Sequence, residues 1–287
     1  SGTTEVGSFT LTSTEISNNA VTITASDLSS DGVKSLTATI TDEAGNVSQA
    51  STAISYTVDT TAPTAAITST TADGSYQAGE DINVTVTFDE AVTLAGTSAT
   101  LSAELETGTT DQSVSLSTSD GGLTWTGTYT IQAGDTSGGL TVKGLVLGGT
   151  SPTLRDAAGN DAVLTIAAGS NLADNEAIVV DTTAPVAPTI DVAPGSDTGT
   201  SDTDDLSSDT TPDVTVNLTD TNAEVGDVVK LLSDGADVGS FTLTQTEVDA
   251  DSVTITAADL GVDGSKSLTA TVTDAAGNVS VASATLA

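Results

Sequence analysis

Three short acidic turns carry the side chains best suited to binding chemistry. Asp-x-Ala-Gly-Asn occurs at Asp42–Asn46, Asp156–Asn160 and Asp274–Asn278. A second acidic element, Val-Asp-Thr-Thr-Ala-Pro, occurs at Val58–Pro63 and Val180–Pro185, which gives Asp59 and Asp181 the same place in two joints. Asp, Glu and Asn offer hard oxygen donors, the set Ca2+ takes; Mg2+ prefers fewer protein ligands and more water. Cysteine and histidine are absent. That removes thiol catalysis, disulfides, Ser-His-Asp triads and ordinary zinc sites. The turns also have a plain reading: glycine permits a positive φ, and flanking Asp and Asn brace the loop with their own side chains. Bare turn chemistry and cation binding both remain open, although acids crowded at a joint would repel one another without a cation.

The rest of the composition points the same way. The 287 residues include 40 acids and only 5 bases (Lys34, Lys143, Arg155, Lys230 and Lys266), for a formal charge of −35. Nucleic acids and anionic membrane surfaces attract basic patches, so both are poor partners for this chain. Metal cations, or solubility alone, account for the charge better. No apolar run is long enough to span a bilayer, and no signal peptide is evident. The absence of methionine reads as an internal fragment of something longer. An apolar content of 37% suffices for small cores and argues against wholesale disorder.

Strands must place these acids. Val6–Ser51 aligns without a gap to Val238–Ser283, so the first stretch is the second half of a repeat whose complete copy comes last. Residues 1–58 then form an incomplete C-terminal half-domain, 59–182 a divergent and longer domain, and 183–287 a complete repeat. The apolar period is two throughout: Ile82, Val84, Val86 and Phe88 alternate with Asn83, Thr85 and Thr87, and Leu123, Trp125, Tyr129 and Ile131 share one face. This predicts half-buried strands with threonine on the wet side, and an all-β fold of tandem immunoglobulin-like antiparallel β-sandwiches arranged end to end. Seven strands are expected in the last domain, near Ala187–Val192, Asp213–Leu218, Val228–Ser233, Gly239–Thr244, Ser252–Thr256, Ser267–Thr273 and Val279–Leu286.

Strands running alternately up and down put the second, fourth and sixth connections at the pole where the chain enters. The Asp-x-Ala-Gly-Asn turns are sixth connections. Asp156 and Asn160 are therefore expected near Asp59, and Asp274 and Asn278 near Asp181. The second connection of the last domain adds Asp220, Asn222 and Asp227; in the middle domain Glu80, Asp81, Asp89 and Glu90 are the expected counterparts. At the opposite pole, Asp27-Leu-Ser-Ser-Asp31-Gly recurs as Asp259-Leu-Gly-Val-Asp263-Gly. The first connection of the last domain adds Asp197, Asp202, Asp204, Asp205 and Asp209. This group reads equally as a joint to a following domain or as a solvated charge run.

These linkers, the Asp-Ala-Ala-Gly-Asn turns and Ser-Leu-Thr-Ala-Thr-Val-Thr-Asp resemble the tandem bacterial immunoglobulin-like repeats of giant repeats-in-toxin and biofilm surface adhesins, which leave the cell by type I secretion. Tyr76-Gln-Ala-Gly-Glu-Asp-Ile and Val84-Thr-Val-Thr-Phe-Asp-Glu-Ala-Val resemble a sister repeat of the same proteins. The resemblance implies a cell-surface extender whose neighbouring repeats are stiffened by Ca2+ at their joints. It holds out a distal adhesive domain, whose host ligand this stretch does not itself bind. It also implies the ligand sets Asp59, Asp156, Asn160 and Asp181, Asp274, Asn278. Two departures stand out: an extra stretch, Ala167–Glu176, in the middle domain, and a last domain without its own following linker.

Three rival readings remain. Trp125 or the extra stretch could serve a carbohydrate- or host-surface-binding module, although a core tryptophan is commoner in a sandwich. A self-associating surface-layer or biofilm-matrix protein would show concentration-dependent assembly. Thr-x-Thr runs suit an ice-binding face, but they ordinarily mark the solvent side of a strand. An enzyme is not expected: a glycosidase pair needs two acids across a sugar-gripping cleft, and one Trp, three Tyr and three Phe give little to stack sugar.

Overall fold

The computed structural model describes residues 4–28, 30–201 and 204–286. Its strands form antiparallel sheets around two separate cores, one drawn from Ala65–Val180 and the other from Val214–Val272.

Residues 4–58 hold a short helix α1 (Ser13–Asn18) and a two-stranded sheet, β1 (Gly32–Leu36) against β2 (Ile54–Val58). No described residue here is buried. In the last unit the aligned residues are covered: Leu11 is 41% exposed and Leu243 1%, Ile40 65% and Val272 0%. The difference lies in the strands available. Strands from residues 189–233 pack over the last unit's apolar face, and residues 4–58 contain no equivalent of them.

The middle unit is larger. Its strands are β3 (Ala65–Thr68), β4 (Gly74–Tyr76), β5 (Asp81–Phe88), β6 (Thr93–Glu106), β7 (Gln112–Thr118), β8 (Thr124–Thr130), β9 (Thr136–Ser137), β10 (Thr141–Arg155) and β11 (Ile178–Asp181). A six-stranded sheet, β10-β6-β7-β8-β5-β3, stands beside a three-stranded one, β4-β11-β9. Strand β5 buries Ile82, Val84, Val86 and Phe88 and turns Asn83, Thr85 and Thr87 away from that core, the period-two pattern of a sheet with one covered face. Trp125, Tyr129 and Ile131 also point inward, but Leu123 stays exposed in the turn before β8. Gly127 sits on the buried face between Trp125 and Tyr129, because a Cβ there would come within 2.5 Å of the Ser115 carbonyl.

The extra stretch of this unit is a packing device. Its turn of helix α2 (Leu172–Asn175) drives Leu172 into the core. Asn171 bonds both backbone groups of Val142 at 2.8 Å, and Asn175 Nδ2 donates to the Ile67 carbonyl at 3.0 Å. Polar atoms that the insertion buries are thereby satisfied.

The last unit is a sandwich of two three-stranded sheets. One is β12 (Thr189–Val192), β13 (Asp213–Asn217) and β16 (Ser252–Thr256); the other is β15 (Ala236–Thr242), β14 (Val228–Ser233) and β17 (Leu268–Thr273). Two differences from the expected strands have local causes. Thr244 caps a short helix, α3 (Gln245–Asp249), through a capping box with Glu247, so the preceding strand ends at Thr242. The seventh strand, expected over Val279–Leu286, forms only isolated bridges. Ser280, Ser283 and Leu286 donate to the carbonyls of Val272, Ala270 and Leu268, three residues advancing against two. The extra residue in each step displaces a carbonyl, and serine hydroxyls take its place: Ser283 Oγ accepts from Ala270 N–H at 3.0 Å and Ser280 Oγ from Val272 N–H at 2.9 Å. Ser48 and Ser51 do the same for Ile40 and Ala38.

Candidate metal centre

Each Asp-x-Ala-Gly-Asn turn is built around its first aspartate. Asp156 Oδ1 accepts the backbone N–H groups of Gly159 (2.6 Å) and Asn160 (2.9 Å), while Oδ2 accepts Asn160 Nδ2 at 2.7 Å. Asp274 holds the backbone of Ala276 and Asn278 and the Asn278 amide in the same way. Asp42 repeats the grip on Asn46. Glycine is required in these turns, where Gly45, Gly159 and Gly277 have φ of 88°, 100° and 94°.

The turn and the preceding linker meet at both joints. Asn160 Nδ2 donates to the Asp59 carbonyl at 3.2 Å, and Asn278 Nδ2 to the Asp181 carbonyl at 2.9 Å. Within each linker the aspartate braces its own chain, Asp59 through Thr61 N–H (3.2 Å) and Asp181 through Thr183 N–H (2.9 Å). The structure therefore places both asparagines as amide donors to the linker backbone.

Three carboxylates converge at the first joint: Asp59, Glu90 and Asp156 each bring an oxygen within 4.8 Å of the others. Burial and the charges of Asp59, Asp156 and Asp89 push the Glu90 carboxyl above its ordinary range. Burial also works against an ionised Asp156, but hydrogen bonds from the Asn160 side chain and the turn backbone outweigh it and hold the group low. Adjacent Asp89 is committed elsewhere, with its two oxygens on the backbone N–H (2.8 Å) and hydroxyl (2.7 Å) of Thr64. An all-oxygen set of three facing carboxylates suits a hard divalent cation.

At the second joint Asp227 is buried and its carboxyl is raised, by burial first and then by Asp274, Glu224 and Asp181. Asp227 also accepts the Glu224 N–H at 2.9 Å. Asp220 and Asn222 form the neighbouring turn with left-handed φ of 59° and 60°, and Thr221 between them accepts the Val186 N–H of the linker.

Other expected residues fall elsewhere. Glu80 and Asp81 do not join Asp89 and Glu90, because they stand at opposite ends of β5; eight residues at about 3.3 Å each separate the ends by ~25 Å. Glu80 instead braces its own turn through Gln77 N–H, and Asp81 accepts from the Thr130 hydroxyl. Asp31 clamps the first linker: its oxygens accept Thr60 N–H (3.0 Å), the Thr60 hydroxyl (2.7 Å) and the Thr61 hydroxyl (2.5 Å). These bonds lower its carboxyl below the usual range. Asp27 lies earlier in the same connection and is exposed. Asp202 lies outside the described residues.

Contacts from the preceding unit complete the second joint. Thr182 Oγ1 accepts Gly134 N–H and donates to the Asp135 carbonyl, both at 3.0 Å. Gln77 lies so close to Gly277 that a Cβ there would come within 3.1 Å of its Nε2. The recurring Asp-Gly signals the Asp31 clamp; nothing in the sequence marks Gln77.

Residues 182–287 match a family model described as a bacterial Ig-like domain. No curated protein matches the chain. Among solved structures it is similar to the FN1–FN3 domains of chicken CNTN1, with 12% identity and a TM-score of 0.36 over 86% of this chain and 72% of that one. It is also similar to the fibronectin(III)-like modules of Clostridium thermocellum CbhA, with 15% identity and a TM-score of 0.27 over 76% and 90%. A third similarity is to the Yersinia pseudotuberculosis adhesin InvE, with 12% identity and a TM-score of 0.24 over 77% and 58%.

Proposed function

We propose that this chain is a spacer from a bacterial surface adhesin, non-enzymatic and extracellular, whose β-sandwich units are fastened to one another by Ca2+. The observation that carries the reading is the meeting of Asp59, Glu90 and Asp156 within 4.8 Å where a linker touches the turn of the following unit. Three like charges held so close work against the joint, and a divalent cation reverses the sign of that interaction. The bacterial Ig-like match over residues 182–287 and the second use of the same linker-and-turn contact at Asp181 and Asn278 support a repeated mechanical role. A carbohydrate platform finds no support in Trp125, which is 5% exposed with its indole N–H on the Gly122 carbonyl.

Extracellular modules bind Ca2+ with Kd of about 10⁻⁴–10⁻³ M. At ten times Kd each site stabilises its joint by about 1.4 kcal/mol. Where free Ca2+ is scarce the same acids loosen the chain. Small-angle X-ray scattering in millimolar Ca2+ and in excess EDTA tests this: the maximum dimension should sharpen and the flexibility fall with Ca2+. Identical profiles in the two conditions would reject the Ca2+-fastened spacer.

A further inference from the structure

The first connection of the last unit contains a carboxylate that its own fold leaves half satisfied. Asp197 is 6% exposed. Its Oδ2 accepts the backbone N–H groups of Asp204 (3.2 Å) and Asp205 (3.3 Å), while Oδ1 is buried with no hydrogen-bond partner. An ionised carboxylate oxygen is an acceptor only, and burying one without a donor or a cation is costly. The loop supplies no cation of its own, because residues 193–209 contain no Lys, Arg or His. The titratable groups around it are acids: Asp205 is raised by burial and by the charges of Asp191, Asp197 and Asp204.

We propose that this loop is a divalent-cation site of the Ca2+ class, separate from the joints, in which Asp197 Oδ1 is the innermost ligand and Asp205 and Asp191 supply further carboxylate oxygens. Asp209 is not a ligand, because Oδ1 is engaged by the Thr211 backbone and hydroxyl and Oδ2 by the Ser196 hydroxyl. Unlike the trio at the first joint, the loop acids do not already meet. Binding therefore draws Asp205 and Asp191 onto Asp197. Ca2+ fits better than Mg2+, since carboxylates brought together from separate positions suit the irregular coordination that Ca2+ accepts and octahedral Mg2+ does not.

The test follows amide hydrogen exchange of residues 198–208, together with Ca2+ stoichiometry by equilibrium dialysis, in the full chain. With Ca2+ at ten times its Kd, exchange in this segment should slow about tenfold in the wild type. Asp156→Asn, which disables the first joint, should leave that protection intact. Asp197→Asn should abolish it and lower the stoichiometry by one ion. Asp205→Asn keeps the buried oxygen in place and should weaken the Ca2+ response without removing it, which covers the case of an Asp197 variant that fails to fold. Exchange that ignores Ca2+ in the wild type, or protection retained in both loop variants, would overturn the site. Because Asp156→Asn reports separately, loss of the joint reading leaves this one standing.

Discussion

At the level of single residues, the paired shifts of Glu90 and Asp156 divide the pH axis. Glu90 titrates above its ordinary 4.5, so in the metal-free protein the folded state binds its proton more tightly than the unfolded state. Its contribution therefore disfavours folding at neutral pH and is relieved as pH falls through the window just above 4.5. Asp156 has the opposite sign: its contribution is present above 3.8 and is lost as pH falls below that value. Mild acid thus protonates one carboxylate and leaves the other charged. Calorimetric titration should show Ca2+ affinity at the first joint falling as pH drops from neutral toward the ordinary carboxylate range, and Glu90→Gln should flatten that dependence while weakening binding at neutral pH. A second prediction concerns Tyr129, whose hydroxyl donates to buried Asp135 Oδ2 at 2.6 Å. That bond and burial both raise the phenol's pKa, burial more. Removing the donor in Tyr129→Phe should cost about 1–3 kcal/mol in urea denaturation, because a buried carboxylate oxygen loses a partner.

At the level of elements, the serine ladder gives the sharpest internal control. Ser280 and Ser283 are buried and accept the N–H groups of Val272 and Ala270. Ser48 and Ser51 make the same bonds on a surface open to water. Ser280→Ala or Ser283→Ala should destabilise the last unit by about 1–3 kcal/mol, since each strands a buried N–H. The matching substitutions at Ser48 and Ser51 should cost about 0.5 kcal/mol or less, because water replaces the hydroxyl; thermal melts of the four variants compare the two settings directly. The ladder also marks where sequence reading stopped. Strands with strict alternation, such as β5 and β17, were legible because one covered face imposes a period of two. Val279–Leu286 was not, since its period is three against two and the hydrogen-bond acceptors are side chains. Helix α3 is not legible for a related reason: five residues are too few to establish a helical period, and its one sequence mark is the Thr244–Glu247 capping box. In the candidate site, the approach of each turn to its linker followed from counting connections. Glu80 and Asp81 lie away from Asp89 and Glu90, the other expected counterparts, because a strand of eight residues carries its ends apart.

At the level of the whole molecule, the two cores and residues 4–58 should unfold independently of one another. Stability comes chiefly from buried apolar surface at roughly 25 cal/mol per Å², and residues 4–58 bury no described side chain. Phe9, Leu11, Val21, Ile23 and Ile40 are instead each exposed, whereas their aligned positions in the last unit, Phe241, Leu243, Val253, Ile255 and Val272, belong to its core. Such a surface should bind a hydrophobic dye in the native state. A chain comprising residues 59–287 should therefore lose most of the native-state fluorescence of anilinonaphthalene sulfonate yet keep the main thermal transition in place. Among the described residues, the Asp31 clamp on Thr60 and Thr61 is an exposed set of hydrogen bonds that ties residues 4–58 to the linker. Its loss should loosen the first joint without unfolding the middle core. A main transition that falls by more than a few degrees on truncation would mean that residues 4–58 stabilise the middle unit through contacts beyond this clamp.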